Sequence, residues 1–353
     1  MRRYLWLAVA ALVLVAAAGC RPIAAPAPAA IPTAASPLLE ALGYAPAQTT
    51  YLYFTNWAAV KAATGVAGPL PADGRMDFFI SLTDAYATPS LFTQRNLERQ
   101  WEVWGWDASD LEWEATLGTD GVPLYAVKFS PGVDLPALFE RYRDLGFTES
   151  ELPHGLLFSH EIALGADWVQ TELAFSNSAF LPEERIGLFS GSAEQITALL
   201  ASSARWRDEA RVVETVAALG AVNGAALVEG ATLCGHPAIA DGAAEAGVDR
   251  ATLARYDLFA VGSREGAAGA GATLAFHYDD AASAAADLAP RNALATEGLS
   301  IMRNVPYAET IFTVNESRVA QRTLLLEVTP VRQQNRRLYQ MVNALDLLFA
   351  ACP

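Results

Sequence analysis

Apolar and polar positions begin to alternate in an ordered way after residue 37. Thr50-Tyr51-Leu52-Tyr53-Phe54-Thr55 is an aromatic-rich run that predicts a strand, and Trp57 to Thr64 predicts a helix stopped by Gly65. Pro69 to Gly74 is turn-rich, and Ser90 to Trp104 has the spacing of an amphipathic helix. Leu111 to Leu117 alternates as a strand, and Thr119-Asp120-Gly121 turns it into a second strand, Leu124 to Phe129. Leu135, Leu138, Phe139, Tyr142 and Leu145 then mark one face of a helix that Gly146 ends. Phe147 to His160 reads as two strands turning at Pro153-His154-Gly155. Arg185 to Ser190 follows as a strand and Ser192 to Leu200 as a helix.

The later chain runs in similar order. Tyr256 to Gly262 and Ala272 to Tyr278 predict strands around a turn at Arg264-Glu265-Gly266, and Asp279-Asp280 caps an Ala-rich helix. Thr310 to Asn315 and Arg322 to Thr329 predict a hairpin, and Val331 to Ala350 a last helix. The expected fold class is therefore α+β, with two diverged strand-strand-helix-strand-strand-helix halves, largely antiparallel sheets and an origin in internal duplication. The first half covers 38–205 and the second 206–353, with the boundary near Arg205 to Asp208. Doubly wound lobes would instead show strands alternating singly with helices.

Residues 1–19 have a different pattern: Arg2 and Arg3, an apolar run from Leu5 to Val15, then Ala16, Ala17, Ala18 and Gly19 before Cys20. That is the layout of an export signal peptide. The tail Ala17-Ala18-Gly19-Cys20 resembles the lipobox of bacterial lipoproteins. The resemblance implies that Cys20 is acylated and becomes the first residue after cleavage. It also implies that the protein is held on the bilayer through Cys20, with the folded part on the extracytoplasmic side of the cell membrane. Leucine is commoner in that family where Ala17 stands. Residues 20–37 continue as a Pro/Ala-rich stretch suited to an extended tether.

Composition sharpens this picture. Of the 353 residues 52% are hydrophobic, but over a third of those are alanines, which bury little area each. The net charge of −15, from 24 Lys+Arg against 39 Asp+Glu, excludes the basic footprint that nucleic acid requires. Beyond Cys20 two cysteines remain, Cys234 and Cys352, an even pair that an exported domain would join as a disulfide. None of the four histidines has a second histidine or cysteine three or four residues on, so no metal or other cofactor is expected.

The densest candidate chemistry lies between Trp101 and Glu114, where four of the eight tryptophans are interleaved with acids. Packing in the core is the plain reading. A sugar-stacking surface is the alternative, with Trp106, beside Gly105, exposed and Asp107 and Asp110 accepting hydroxyl hydrogen bonds. Gly187 to Ser192 lacks the G-x-S-x-G spacing of a hydrolase elbow, and Ser192 with Gln195 reads as a helix capping box. The glycines from Gly266 to Gly271 lack the Lys-Ser/Thr of a phosphate loop. Arg318, Arg322, Arg332, Arg336 and Arg337 make the late chain locally basic, as a solvated helix face would. The sequence thus predicts a lipid-anchored, non-catalytic protein engaging an unknown protein or carbohydrate. A secreted polysaccharide hydrolase and a solute-binding transporter component are the alternatives.

Overall fold

The computed structural model describes residues 36–66, 70, 74, 75, 77, 78, 97–119, 122–161, 173–266 and 269–353. The first half runs α1 (Pro37–Leu42), β1 (Tyr51–Thr55), α2 (Trp57–Thr64), α3 (Leu97–Trp104), β2 (Leu111–Gly118) and β3 (Leu124–Phe129). It continues with α4 (Leu135–Asp144), β4 (Thr148–Leu152), β5 (Gly155–Ser159), β6 (Asn177–Leu181), β7 (Ile186–Ser190) and α5 (Ala193–Ala201). The second half runs α6 (Ala210–Leu219), β8 (Gly224–Glu229), α7 (Gly230–Cys234), α8 (Pro237–Glu245), β9 (Leu258–Gly266) and β10 (Gly269–His277). Then come α9 (Ala281–Glu297), α10 (Tyr307–Thr310), β11 (Phe312–Ala320), β12 (Thr323–Pro330) and α11 (Arg336–Asn343).

The fold is α+β, and every neighbouring strand pair is antiparallel. The expected separate sheets are one. Twelve strands among the described residues form a single sheet ordered β11-β12-β10-β9-β8-β1-β2-β3-β7-β6-β5-β4. The two halves meet at β1 and β8, where Tyr53 lies opposite Ala226. Outward from that pair each half places its strands in the same order: first, second, third, last, next to last. The first half adds the β4–β5 hairpin at its edge. Helices α4 and α9 each carry the chain from the third strand to the edge of its half, and the following strands return inward.

Alternation along the strands sets the layers. In β8, Ala225 and Leu227 face a core under α1, α5 and α6 that runs through both halves. Ala226 and Val228 face the other side, under α7 to α11. In the first half that other side is filled by α2, α3 and α4 over Tyr125, Val127 and Phe129. Both sheet edges discourage further pairing: β4 exposes Glu149 and Glu151, and β11 is interrupted by a bulge between Val314 and Glu316.

Local signals account for many boundaries. Asn56 caps α2, accepting from the Ala59 amide at 3.0 Å, and Gly65 ends it at φ 71°. Asp280 caps α9 through the Ser283 amide at 2.7 Å. The predicted helix from Ser90 is described from Leu97, and its earlier residues lie outside the described ones. Strand β9 runs through the turn expected at Arg264-Glu265-Gly266, in register to Gly266 opposite Gly269. Ser192 caps α5, but the capping box is incomplete: the Gln195 side chain turns to the Ser190 hydroxyl at 2.7 Å and the Val122 carbonyl at 2.8 Å. The last predicted helix is also corrected. Arg332, Gln333 and Leu345 adopt φ of 57°, 56° and 56°, splitting 331–350 into a 3-10 turn, α11 and a second 3-10 turn. An unbroken helix of that length would extend about 30 Å and carry Leu347 to Phe349 away from the core in which they are buried.

Candidate functional site

The tryptophan–acid segment folds inward, against the sugar-stacking alternative. Gly105 at φ 75° turns the chain after α3, and Trp106 is 0% exposed. Its ring lies 5.1 Å from Phe129, 5.6 Å from Phe175 and 5.3 Å from Phe189. Asp107 and Asp110 are buried and structural. They cap a single 3-10 turn, Ala108–Asp110, and both pair with Arg75, at 2.8 Å and 2.7 Å. Arg75 in turn lies 3.5 Å from the centre of the Trp101 ring. Lys61, also buried, donates to the Ser109 and Leu111 carbonyls at 2.9 Å each, and desolvation pulls its pKa down. Trp113 points through the opposite face and donates to Glu40 at 3.0 Å. These residues build a core and expose no stacking platform. The reason is that the glycine reverses the chain onto the sheet, where an indole buries more area than solvent exposure would leave it.

The two late cysteines are joined. Cys234, at the end of α7, bonds Cys352 with Cα atoms 5.2 Å apart. The C-terminal strap, residues 347–353, is held by noncovalent contacts as well. Arg291, 0% exposed, pairs with Asp287 one turn earlier on α9 and donates to the carbonyls of Phe349 at 2.8 Å, Ala351 at 2.7 Å and Ala254 at 3.0 Å. Tyr256 donates to the Ala350 carbonyl at 2.7 Å, and Tyr278 to Asp287. Burial pushes both phenols up. Sequence reading passed over this network. Its signal is an Asp-Arg pair at i, i+4 in an otherwise alanine-padded helix.

A second cluster gathers where β10 ends. His277, 1% exposed, has Nε2 3.2 Å from Glu214 of α6 and Nδ1 3.6 Å from Asp257, the residue before β9. Arg322, in the β11–β12 turn, grips both Glu214 oxygens at 2.6 Å and 3.1 Å. That contact holds the Glu214 carboxyl below the usual carboxylate range. Burial, and then the neighbouring Asp279, push Asp257 up. The basic late segment is thus drawn partly onto its own half: Arg322 to Glu214, Arg318 to Glu327 at 3.5 Å, and Arg337 to the Thr310 carbonyl at 2.6 Å. The cluster ties α6 to the sheet. Among the described residues no three His, Cys, Asp or Glu side chains are arranged to hold a metal ion. Nor is any described helix long and apolar enough to cross a membrane.

No family model matches the chain. No curated protein matches it either. Among solved structures it is similar to crystal form I of TP0453, at 10% identity, a TM-score of 0.42, and coverage of 86% of this chain and 97% of that one. Crystal form III of the same protein gives a TM-score of 0.40 at 10% identity, over 86% of this chain and 97% of that one.

Proposed function

We propose that this chain is a lipid-anchored protein of the extracytoplasmic face, acylated on Cys20 and serving in binding or envelope interaction without catalysis. The supporting observation is the cysteine arrangement. Of three cysteines, Cys234 and Cys352 are bonded to each other, so Cys20 is the one cysteine outside that bond. Structural disulfides belong to oxidising compartments outside the cytosol, which is where a lipobox delivers its protein. Several acyl chains on one cysteine grip a bilayer far more firmly than one chain does. The hydrolase alternative drew on Trp106, Asp107 and Asp110, whose burial removes its footing.

Cys20→Ser tests the anchor. In cells fed an alkyne-tagged palmitate, the natural chain takes up label and partitions into detergent, and the variant does neither. Label retained by the variant refutes the anchor.

A further inference from the structure

A groove of about 530 Å³ opens between α8 and α9, in the size range of small-molecule sites. Leu253, Leu294 and Leu348 give it an apolar floor, while Asp249 and Glu297 contribute carboxylates to its lining. Among the described residues no basic side chain lines it. Arg250, next to Asp249, is turned toward the chain end and donates to the Cys352 and Pro353 carbonyls.

The backbone adds to the same sign of potential. Both helices that border the groove end at it: Ala246 caps α8 and Gly298 caps α9, and both residues are in its lining. Neither helix has a basic residue in its last turn, so the partial negative charge of each C-terminus is uncompensated by its own sequence. Pro290, also in the lining, has no N–H to give the Ala286 carbonyl one turn before it. Two carboxylates and two helix C-termini therefore border an apolar floor.

We propose that this groove binds an organic cation, an ammonium group carried on an aliphatic or aromatic body. The body fills the leucine floor, and the ammonium donates toward Asp249, Glu297 and the helix ends. A bare metal ion would waste the apolar floor. An anionic ligand would be repelled by the carboxylates, and a neutral one would gain no charge pairing.

The test is equilibrium dialysis of radiolabelled phenethylamine against the full-length protein, with detergent alone as blank. Phenylacetate and 2-phenylethanol serve as anionic and neutral probes of the same shape. Phenethylamine is expected to bind, 2-phenylethanol more weakly and phenylacetate not at all. Glu297→Gln with Asp249→Asn should weaken phenethylamine roughly tenfold and leave 2-phenylethanol unchanged. Asp249 also accepts from the Ala251 amide, so circular dichroism must show the double variant folded, and Glu297→Gln alone serves if it is not. Ala293→Trp, at an exposed groove position, should abolish binding of both probes. Equal uptake of phenylacetate and phenethylamine, or uptake unchanged by Ala293→Trp, overturns the proposal. Both readouts are independent of acylation at Cys20.

Discussion

The two halves cover the same face of one sheet with different materials. In the first half the layer is aromatic: Trp104, Trp106, Phe129, Tyr142, Phe158, Phe175, Phe180 and Phe189 contact one another in edge-on, tilted and stacked pairs. In the second half the layer mixes aromatics such as Tyr256, Phe276, Tyr307 and Phe349 with alanines, among them Ala226, Ala243, Ala272, Ala284, Ala295, Ala350 and Ala351. There the closing links are directional or covalent: the Arg291–Asp287 pair, the tyrosine hydroxyls and the Cys234–Cys352 bond. A methyl group buries too little area to anchor a helix firmly. An alanine-padded layer therefore leans more on such links, while the aromatic layer carries its own in Arg75 with Asp107 and Asp110.

The sharpest way to break that contrast is to remove one residue from each layer. Trp106→Ala should cost about 3–5 kcal/mol through lost contact and a residual cavity. Arg291→Met should cost a similar amount, about 3–5 kcal/mol, because it strands a buried carboxylate. The two differ in how they are rescued. Adding Asp287→Leu to Arg291→Met should recover most of the loss, whereas Trp106→Ala leaves a cavity rather than a stranded charge. Urea unfolding of the three variants decides it, and an Arg291→Met loss below about 1 kcal/mol would show that the buried pair is dispensable.

Opening the disulfide is the next largest effect. Cys234→Ser with Cys352→Ser should lower stability by about 2–4 kcal/mol. Hydrogen exchange should quicken around α7, α9 and the C-terminal strap and hold steady in β2, β3 and α4. Uniform quickening through both halves would mean that the disulfide supports the whole sheet.

The smallest effect concerns pH. Glu214, held low by Arg322, contributes stability that is present above the ordinary carboxylate value and lost as pH falls through its depressed one. Asp257, pushed up by burial and Asp279, contributes in the opposite sense. Its share is present below the ordinary value and lost as pH rises through its raised one. Both side chains are partly solvated, so each amounts to less than about 1 kcal/mol. Glu214→Gln should flatten the acid side of the stability–pH curve, and Asp257→Asn the side toward neutrality. An acid limb unchanged by Glu214→Gln would exclude this carboxylate as its source.

Elements with local signals were legible in the chain. Asn56 and Gly65 bracket α2, Leu135 to Tyr142 mark α4, and Asp280 opens α9, each through contacts within a few residues. Elements without them were passed over. Strand β8, Gly224–Glu229, is short, small-residued and buried on both faces, so it shows no alternation to read. The split of 331–350 was hidden because its left-handed residues are Arg332, Gln333 and Leu345, none of which announces positive φ. Trp106 was misplaced for a related reason. A glycine beside a tryptophan signals a turn but not the direction in which the ring then points.

Periodicity, caps and glycine stops were enough to establish a largely antiparallel α+β chain, because those features act over a few residues. The joining of the halves through β1 and β8 depended on the complete fold. So did the burial of Asp107 and Asp110 around Arg75, and the meeting of Glu214 with His277 and Arg322. Each brings together residues tens to well over a hundred positions apart. Such contacts form only when the whole sheet closes, and no local pattern encodes them.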